Sequence, residues 1–164
     1  MDEAKMAELN PYARFLTNVP PREVIDQTPG KLKFLLERLG PRVEEVPAPG
    51  KWTARQIICH LADCEIVFAY RLRQALTQEH HVIQPFDQDL WANFYESCDA
   101  PTALSVFTAV RGWNVRLIRT MGPDHLTRKV THPERGEMHV GTVVETMAGH
   151  DLNHLAQIEA IAGV

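Results

Sequence analysis

The sequence predicts an all-α fold, a four-helix bundle formed by a single domain over residues 1–164. It carries a long crossover between helices two and three and a small β-hairpin or extended loop before helix four. Three observations predict this. Prolines and glycines cut the chain into four long segments, and in each the apolar residues recur every three or four positions. Helix-start and helix-stop residues stand at the ends of those segments. Only residues 126–140 show β-type residues on both sides of a turn. With 164 residues and 45% hydrophobic content, the chain can bury a sizeable core as one unit.

The first helix is expected to start at Thr28, with Thr28 as cap and Pro29 in the first turn, and to stop at Gly40-Pro41. Leu32, Leu35, Leu36 and Leu39 supply its apolar stripe. Upstream, NPYARFLTNVPPREVIDQ is expected to hold a short turn or helix folded over the bundle. The second helix is expected from Thr53 to about Glu79, opened by a Thr53/Gln56 capping box. Ile57, His60, Cys64, Val67, Phe68 and Arg71 fall on one of its faces. Residues 80–100 are long for a bundle connection, which permits a crossover and parallel second and third helices. A short helix is expected within that linker near Asp89–Tyr95. The third helix is expected over Pro101–Met121, with Leu104, Phe107, Arg111, Asn114, Val115 and Ile118 on one face. The fourth is expected over Thr142–Ala162, opened by a Thr142/Glu145 capping box. Its inward stripe comprises Val143, Met147, His150, His154, Ile158 and Ile161.

Two histidines therefore stand where a bundle helix buries its apolar residues. His150 and His154 are four apart, so their rings leave the same side of the helix. Taken alone, such a pair also reads as two core histidines satisfied by neighbours. His60 adds a third. It lies about two turns from the start of helix two, and His154 about two turns from the end of helix four, so antiparallel packing brings them to one depth. Three buried imidazoles need three partners, and one divalent ion satisfies all of them. Three histidine ligands leave coordination positions open, the layout of a catalytic site. Imidazole donors suit zinc, nickel, ferrous iron or copper, and the ligand set alone does not choose; one divalent ion, zinc or nickel before iron, is the expectation.

GKWTARQIICHLADCE and MAGHDLNHLAQIEAI, with NPYARFL, PFDQDLWA and HPERGEM, resemble the DinB superfamily and specifically its YfiT-like branch. The resemblance covers nearly the whole chain. It implies a four-helix bundle holding a divalent metal with three histidines, here His60, His150 and His154. It also implies a metal-dependent hydrolase, or a transferase acting with a low-molecular-weight thiol. The branch more usually has alanine where this chain has Cys64, so the resemblance gives Cys64 no role.

Around the triplet, Asp63 and Asp151 are candidates to accept a proton from a ligand imidazole or, for Asp151, to act as general base. Arg71 and Arg111 are candidates to clamp a substrate carboxylate; otherwise their stems pack and their heads reach a carboxylate such as Glu65 or Asp63. Trp52, Trp91 and Trp113 read as packing. His80, His81, His125, His132 and His139 read as solvated linker residues, although His132 sits in a loop that can fold over an open metal position.

A net charge of −4 with mixed signs gives no nucleic-acid footprint and no basic membrane-binding face. No apolar run approaches the ~20 residues a membrane span needs. MDEAKMAELNPYARF lacks a signal-peptide core, and Cys59, Cys64 and Cys98 form no C-x-x-C pair. The expectation is a cytoplasmic protein with reduced thiols. Its expected partner is a small-molecule substrate, with a small thiol as co-substrate, and a homodimer is compatible with the sequence. With no Ser/His/Asp pattern and no phosphate loop, metal activation of water or thiol is the chemistry the residues support. The alternative is a non-catalytic, metal-stabilised helical binding module; a helical dimerisation scaffold without metal is the third reading.

Overall fold

The computed structural model describes residues 9–164. The N-terminal residues 1–8, part of the stretch assessed for signal-peptide character, lie outside the described residues. Four long helices make the bundle: α1 (Pro21–Leu39), α2 (Ala54–Thr77), α3 (Ala100–Thr120) and α4 (Val140–Ala162). Around the bundle the order is α1, α4, α2, α3, with α3 returning to α1.

Side-chain contacts give the helix directions. At their starts, Arg55 of α2 reaches the carbonyl of Cys98, just before α3, at 3.1 Å. Further along both helices, Arg73 reaches Asn114 at 2.8 Å, so α2 and α3 run parallel. Arg22, at the start of α1, donates to the carbonyl of Met121 beyond the end of α3, so these two are antiparallel. Arg42, just past α1, donates to the carbonyl of Ile161 at the end of α4. Parallel α2 and α3 require the crossover that the long linker provides. The linker carries the short helix Gln88–Ala92, capped by Asp87, and a 3-10 turn at Tyr95–Ser97. A β-hairpin, β1 (Lys129–His132) and β2 (Gly136–His139), precedes α4. Gly136, at φ +87°, closes its turn in a conformation that favours glycine.

The Thr53/Gln56 capping box forms as read. Two helix starts differ. α1 begins at Pro21, so Thr28 and Pro29 lie inside it. Pro29 has no amide proton, which leaves the carbonyl of Ile25 without its helical donor. Arg111 of α3 supplies the replacement at 3.1 Å. α4 begins at Val140, directly from β2, because the Val140 amide bonds to the carbonyl of Arg128 at 2.9 Å. The helix is thus started by the hairpin and not by Thr142.

The core has two halves. One gathers Leu32, Leu35, Ile58, Leu61, Phe107 and Ile158; the other gathers Ile25, Leu72, Ile118, Val140, Val143 and Met147. On each helix the change from one half to the other falls at the same level. At that level stand His60, Glu65, Arg111, Asn114, His150, Asp151 and His154, all buried.

Candidate metal centre

α2 and α4 bring the three histidines together. Their ring centroids lie 5.0 Å apart for His60 and His150, 4.8 Å for His60 and His154, and 4.4 Å for His150 and His154. The Nε2 atoms of His60 and His150 face each other at 3.0 Å. Cys64, one turn on from His60, places its Sγ 3.5 Å from His60 Nε2. The tight group of donor atoms, all within 4.8 Å of one another, is therefore His60, Cys64 and His150. His154 adjoins it by its ring, with Nδ1 bonded to Gln157 Oε1 at 2.9 Å.

Burial sets the electrostatics. It pushes the His60 imidazole down to about 3, aided by His154, and holds His150 well below its ordinary value, aided by His154 and His60. His154 is lowered too, chiefly by burial. The same burial raises the Cys64 thiol, which Arg71 partly opposes. Burial therefore favours the uncharged form of all three rings near neutral pH, the state in which imidazole binds metal. The donor set fits a divalent transition ion: uncharged nitrogens converge at hydrogen-bond distance, with a soft sulfur alongside.

Aromatic rings wall the group. Tyr12 packs edge-on to His150 at 5.3 Å, and Trp52 lies 5.0 Å from His60. Tyr12 is placed by Asn10, whose Oδ1 accepts its amide at 3.0 Å, and by Gly149, where an added Cβ would come within 2.6 Å of Tyr12. A cleft of about 610 Å³, lined by Tyr12, Lys51, Trp52, Asn153, His154 and Gln157, reaches the histidines at His154.

Behind the group lies a buried ion network. Asp151 accepts from Arg111 at 2.5 Å (Nη1 to Oδ2) and 3.0 Å (Nη2 to Oδ1), and Glu65 accepts from Arg111 Nη2 at 2.7 Å. Asn114 donates to Glu65 Oε1 at 2.7 Å and accepts from Arg73 at 2.8 Å. Burial works against the Arg111 charge, but Asp151 and Glu65 outweigh it and raise its pKa.

The sequence candidates divide accordingly. His60, His150 and His154 come together. Asp151 is next to His150 in the chain, but its carboxylate is held by Arg111. Asp63 points elsewhere, lining a separate cleft of about 580 Å³ with Cys59, Tyr95 and Cys98. Burial raises its pKa; the Tyr95 hydroxyl acts on it without reaching hydrogen-bond geometry. Arg111 takes the carboxylate expected, Glu65, and one not expected, Asp151. Arg71 is half-buried and donates to the carbonyl of Gln84 at 3.0 Å. His81 and His132, read as solvated, are buried at 6% exposure each. Val82 makes an isolated parallel bridge to Thr131 of β1, with Ile83 donating to the carbonyl of Thr131 at 2.8 Å, which sets residues 81–83 against the hairpin. Cys64 stands one helical turn from His60 in the sequence, but it reads there as a small packed hydrophobe, and the family more usually has alanine at that position.

The DinB superfamily model matches residues 25–158. A protein of Oceanobacillus iheyensis is 35% identical over 113 residues, spanning 68% of this chain and 66% of that protein. YfiT of Bacillus subtilis is 28% identical over 147 residues, spanning 85% of this chain and 81% of YfiT. The names of both give them, provisionally, as metal-dependent hydrolases. The solved four-helix bundle of B. subtilis YfiT superposes with a TM-score of 0.77 at 23% identity, covering 87% of this chain and 86% of that one, which shows the shared fold. With the buried histidine group in place and the family model matching most of the chain, the protein belongs to the DinB superfamily.

Proposed function

We propose that the protein is a metal-dependent hydrolase or thiol S-transferase acting on a small molecule, with one divalent transition ion held by His60, His150 and His154 and with Cys64 beside them. Zinc or nickel is the ion proposed, with iron as the next choice. Such an ion supplies Lewis-acid chemistry at neutral pH, acidifying a water or a thiol and polarising a carbonyl. One observation carries the catalytic reading over a sealed structural site: a cleft of about 610 Å³ is lined by His154, so one edge of the histidine group faces open space.

The chain's own residues do the rest. His60 and His150, kept unprotonated by burial, present nitrogens without competing for protons. Tyr12 and Trp52 exclude water from the flanks of these rings. Gln157 holds His154 through Nδ1, which directs Nε2 away from it. Asp151 serves as a positioning residue: with both oxygens engaged by Arg111, it fixes α4 beside His150 and is not free to take a proton from substrate.

The test is metal content by elemental analysis. Purified protein is expected to hold close to one divalent ion per chain. His60→Ala, His150→Ala and His154→Ala are each expected to lose it while keeping helical circular dichroism. Protein that takes up no metal even on reconstitution overturns the reading. Metal-loaded protein that accelerates neither ester or amide hydrolysis nor thiol conjugation across a broad panel returns it to a binding module.

A further inference from the structure

Four basic side chains gather on the Cys64 side of the histidines. Arg71 lies two turns beyond Cys64 on α2. His81 follows the end of that helix, where its carbonyl accepts from the Thr131 amide at 3.0 Å and so lies beside β1. His132 ends β1, and Arg135 occupies the hairpin turn, its amide bonded to the carbonyl of His132 at 3.2 Å. Arg71 joins them through Gln84, whose carbonyl it binds at 3.0 Å, next to Ile83 and its bond to Thr131. Beyond burial, the largest cause in each case, Arg71 lowers the His81 imidazole, Arg135 and Arg71 lower His132, and Arg135 lowers the Arg71 guanidinium.

Like charges do not assemble without an opposing one. Among the described residues neither Arg71 nor Arg135 has a carboxylate within ion-pair distance. Glu134, in the same turn, acts on His132 without offsetting the two guanidiniums. Donor edges are also left over on Arg71 and His132. His81 spends its one N–H, at Nδ1, on Gln78 Oε1 at 2.9 Å, so its buried Nε2 is an acceptor and offers none. Arg71 spends Nη2 on the carbonyl of Gln84, while its Nε is buried with no partner. His132 Nδ1 accepts the Glu134 amide at 3.3 Å, which makes Nε2 the edge that can donate. Buried donors of this kind are nearly always satisfied in a working protein. The cluster lies next along α2 from the metal centre: Arg71 is two turns from Cys64, whose Sγ is 3.5 Å from His60 Nε2.

We propose that Arg71, His132 and Arg135 form an oxyanion subsite beside the metal centre, taking the carboxylate or phosphate group of the substrate. Guanidinium and imidazole N–H groups are the donors that planar or tetrahedral oxyanions select. That the anion belongs to the substrate rests on the metal-enzyme reading; that the subsite binds a free oxyanion does not.

The experiment titrates acetate and inorganic phosphate, separately and at low chloride, into metal-loaded protein, followed by calorimetry. Arg71→Gln, Arg135→Gln and His150→Ala proteins are titrated alongside, with metal content and circular dichroism recorded for each. Saturable binding of one anion is expected, weakened about tenfold by each arginine substitution and retained in His150→Ala. Preference for acetate assigns a carboxylate substrate, and preference for phosphate a phosphorylated one. Arg135 lies half-exposed on the turn, so its substitution reports even if Arg71→Gln misfolds. Binding of neither anion, or binding unchanged in both arginine variants, overturns the subsite. Loss of binding in His150→Ala places the anion on the metal and also overturns it. Absence of metal from the wild type overturns the enzyme reading while leaving this measurement valid.

Discussion

Arg111 is the most committed side chain in the molecule. It is 1% exposed, forked between Asp151 and Glu65, stacked 4.5 Å over Phe107, and bonded to the carbonyl that Pro29 leaves free. Removing it strands two carboxylates in the core, so Arg111→Leu is expected to lose about 3–5 kcal/mol of stability in urea unfolding. A loss under ~1 kcal/mol would mean that water reaches both acids, contrary to their burial. Helix phase was enough to place Arg111 inward and to name Glu65 as a partner. It could not name Asp151, because which turn of α4 lies level with Arg111 depends on helix offsets that only packing sets. The same limit hid His81 and His132, whose segments, about fifty residues apart, meet at a β-bridge that local pattern does not show.

At the scale of elements, the N-terminal turn is as much part of the metal centre as the helices that carry the ligands. Residues Ala13–Leu16 form a 3-10 turn against α4, and Tyr12 leads into it from the Asn10 bond. Gly149 makes this contact, since a Cβ there would lie 2.6 Å from the Tyr12 Cβ and 2.7 Å from its carbonyl oxygen. Glycine to alanine inside a helix ordinarily gains roughly 0.5–1 kcal/mol. Here the sign is expected to reverse: Gly149→Ala should cost about 1–3 kcal/mol as the Tyr12 turn is pushed off His150. Thermal melts of metal-free protein check it, and a raised Tm would show that the turn does not pack where described. Helix ends with a side-chain cap, such as Thr53, were legible in the sequence. The starts of α1 and α4 were not, because one passes through a proline rescued by Arg111 and the other is handed over from a strand. Both signals come from tertiary contacts, which local propensity cannot encode.

Over the whole molecule, the bundle and its crossover were legible because linker length limits topology: a connection of about twenty residues allows parallel neighbours, where a short one forces antiparallel. What the bundle then does is place a polar layer between two apolar halves, and that arrangement has a measurable consequence for pH. His60, His150 and His154 are all lowered by burial, His60 to about 3 from an ordinary 6.5. In the unfolded chain they take up protons below about 6.5, while in the folded protein they stay neutral. Between those limits the unfolded state binds more protons, so stability rises with pH and falls on acidification. For metal-free protein, the urea midpoint is expected to be level above pH 7 and to drop steadily as pH falls from about 6.5 towards 4. Asp63 and Glu145, whose carboxyls are raised by burial, pull the other way as acid is added. The histidine contribution is therefore isolated by comparison with His60→Asn, whose midpoint should fall less steeply over the same range. Equal slopes in the two proteins would mean that His60 titrates in the folded state near its ordinary value. A ring able to take a proton near neutral pH would let that proton compete with a metal, and His60 would not be the neutral donor that the metal centre requires.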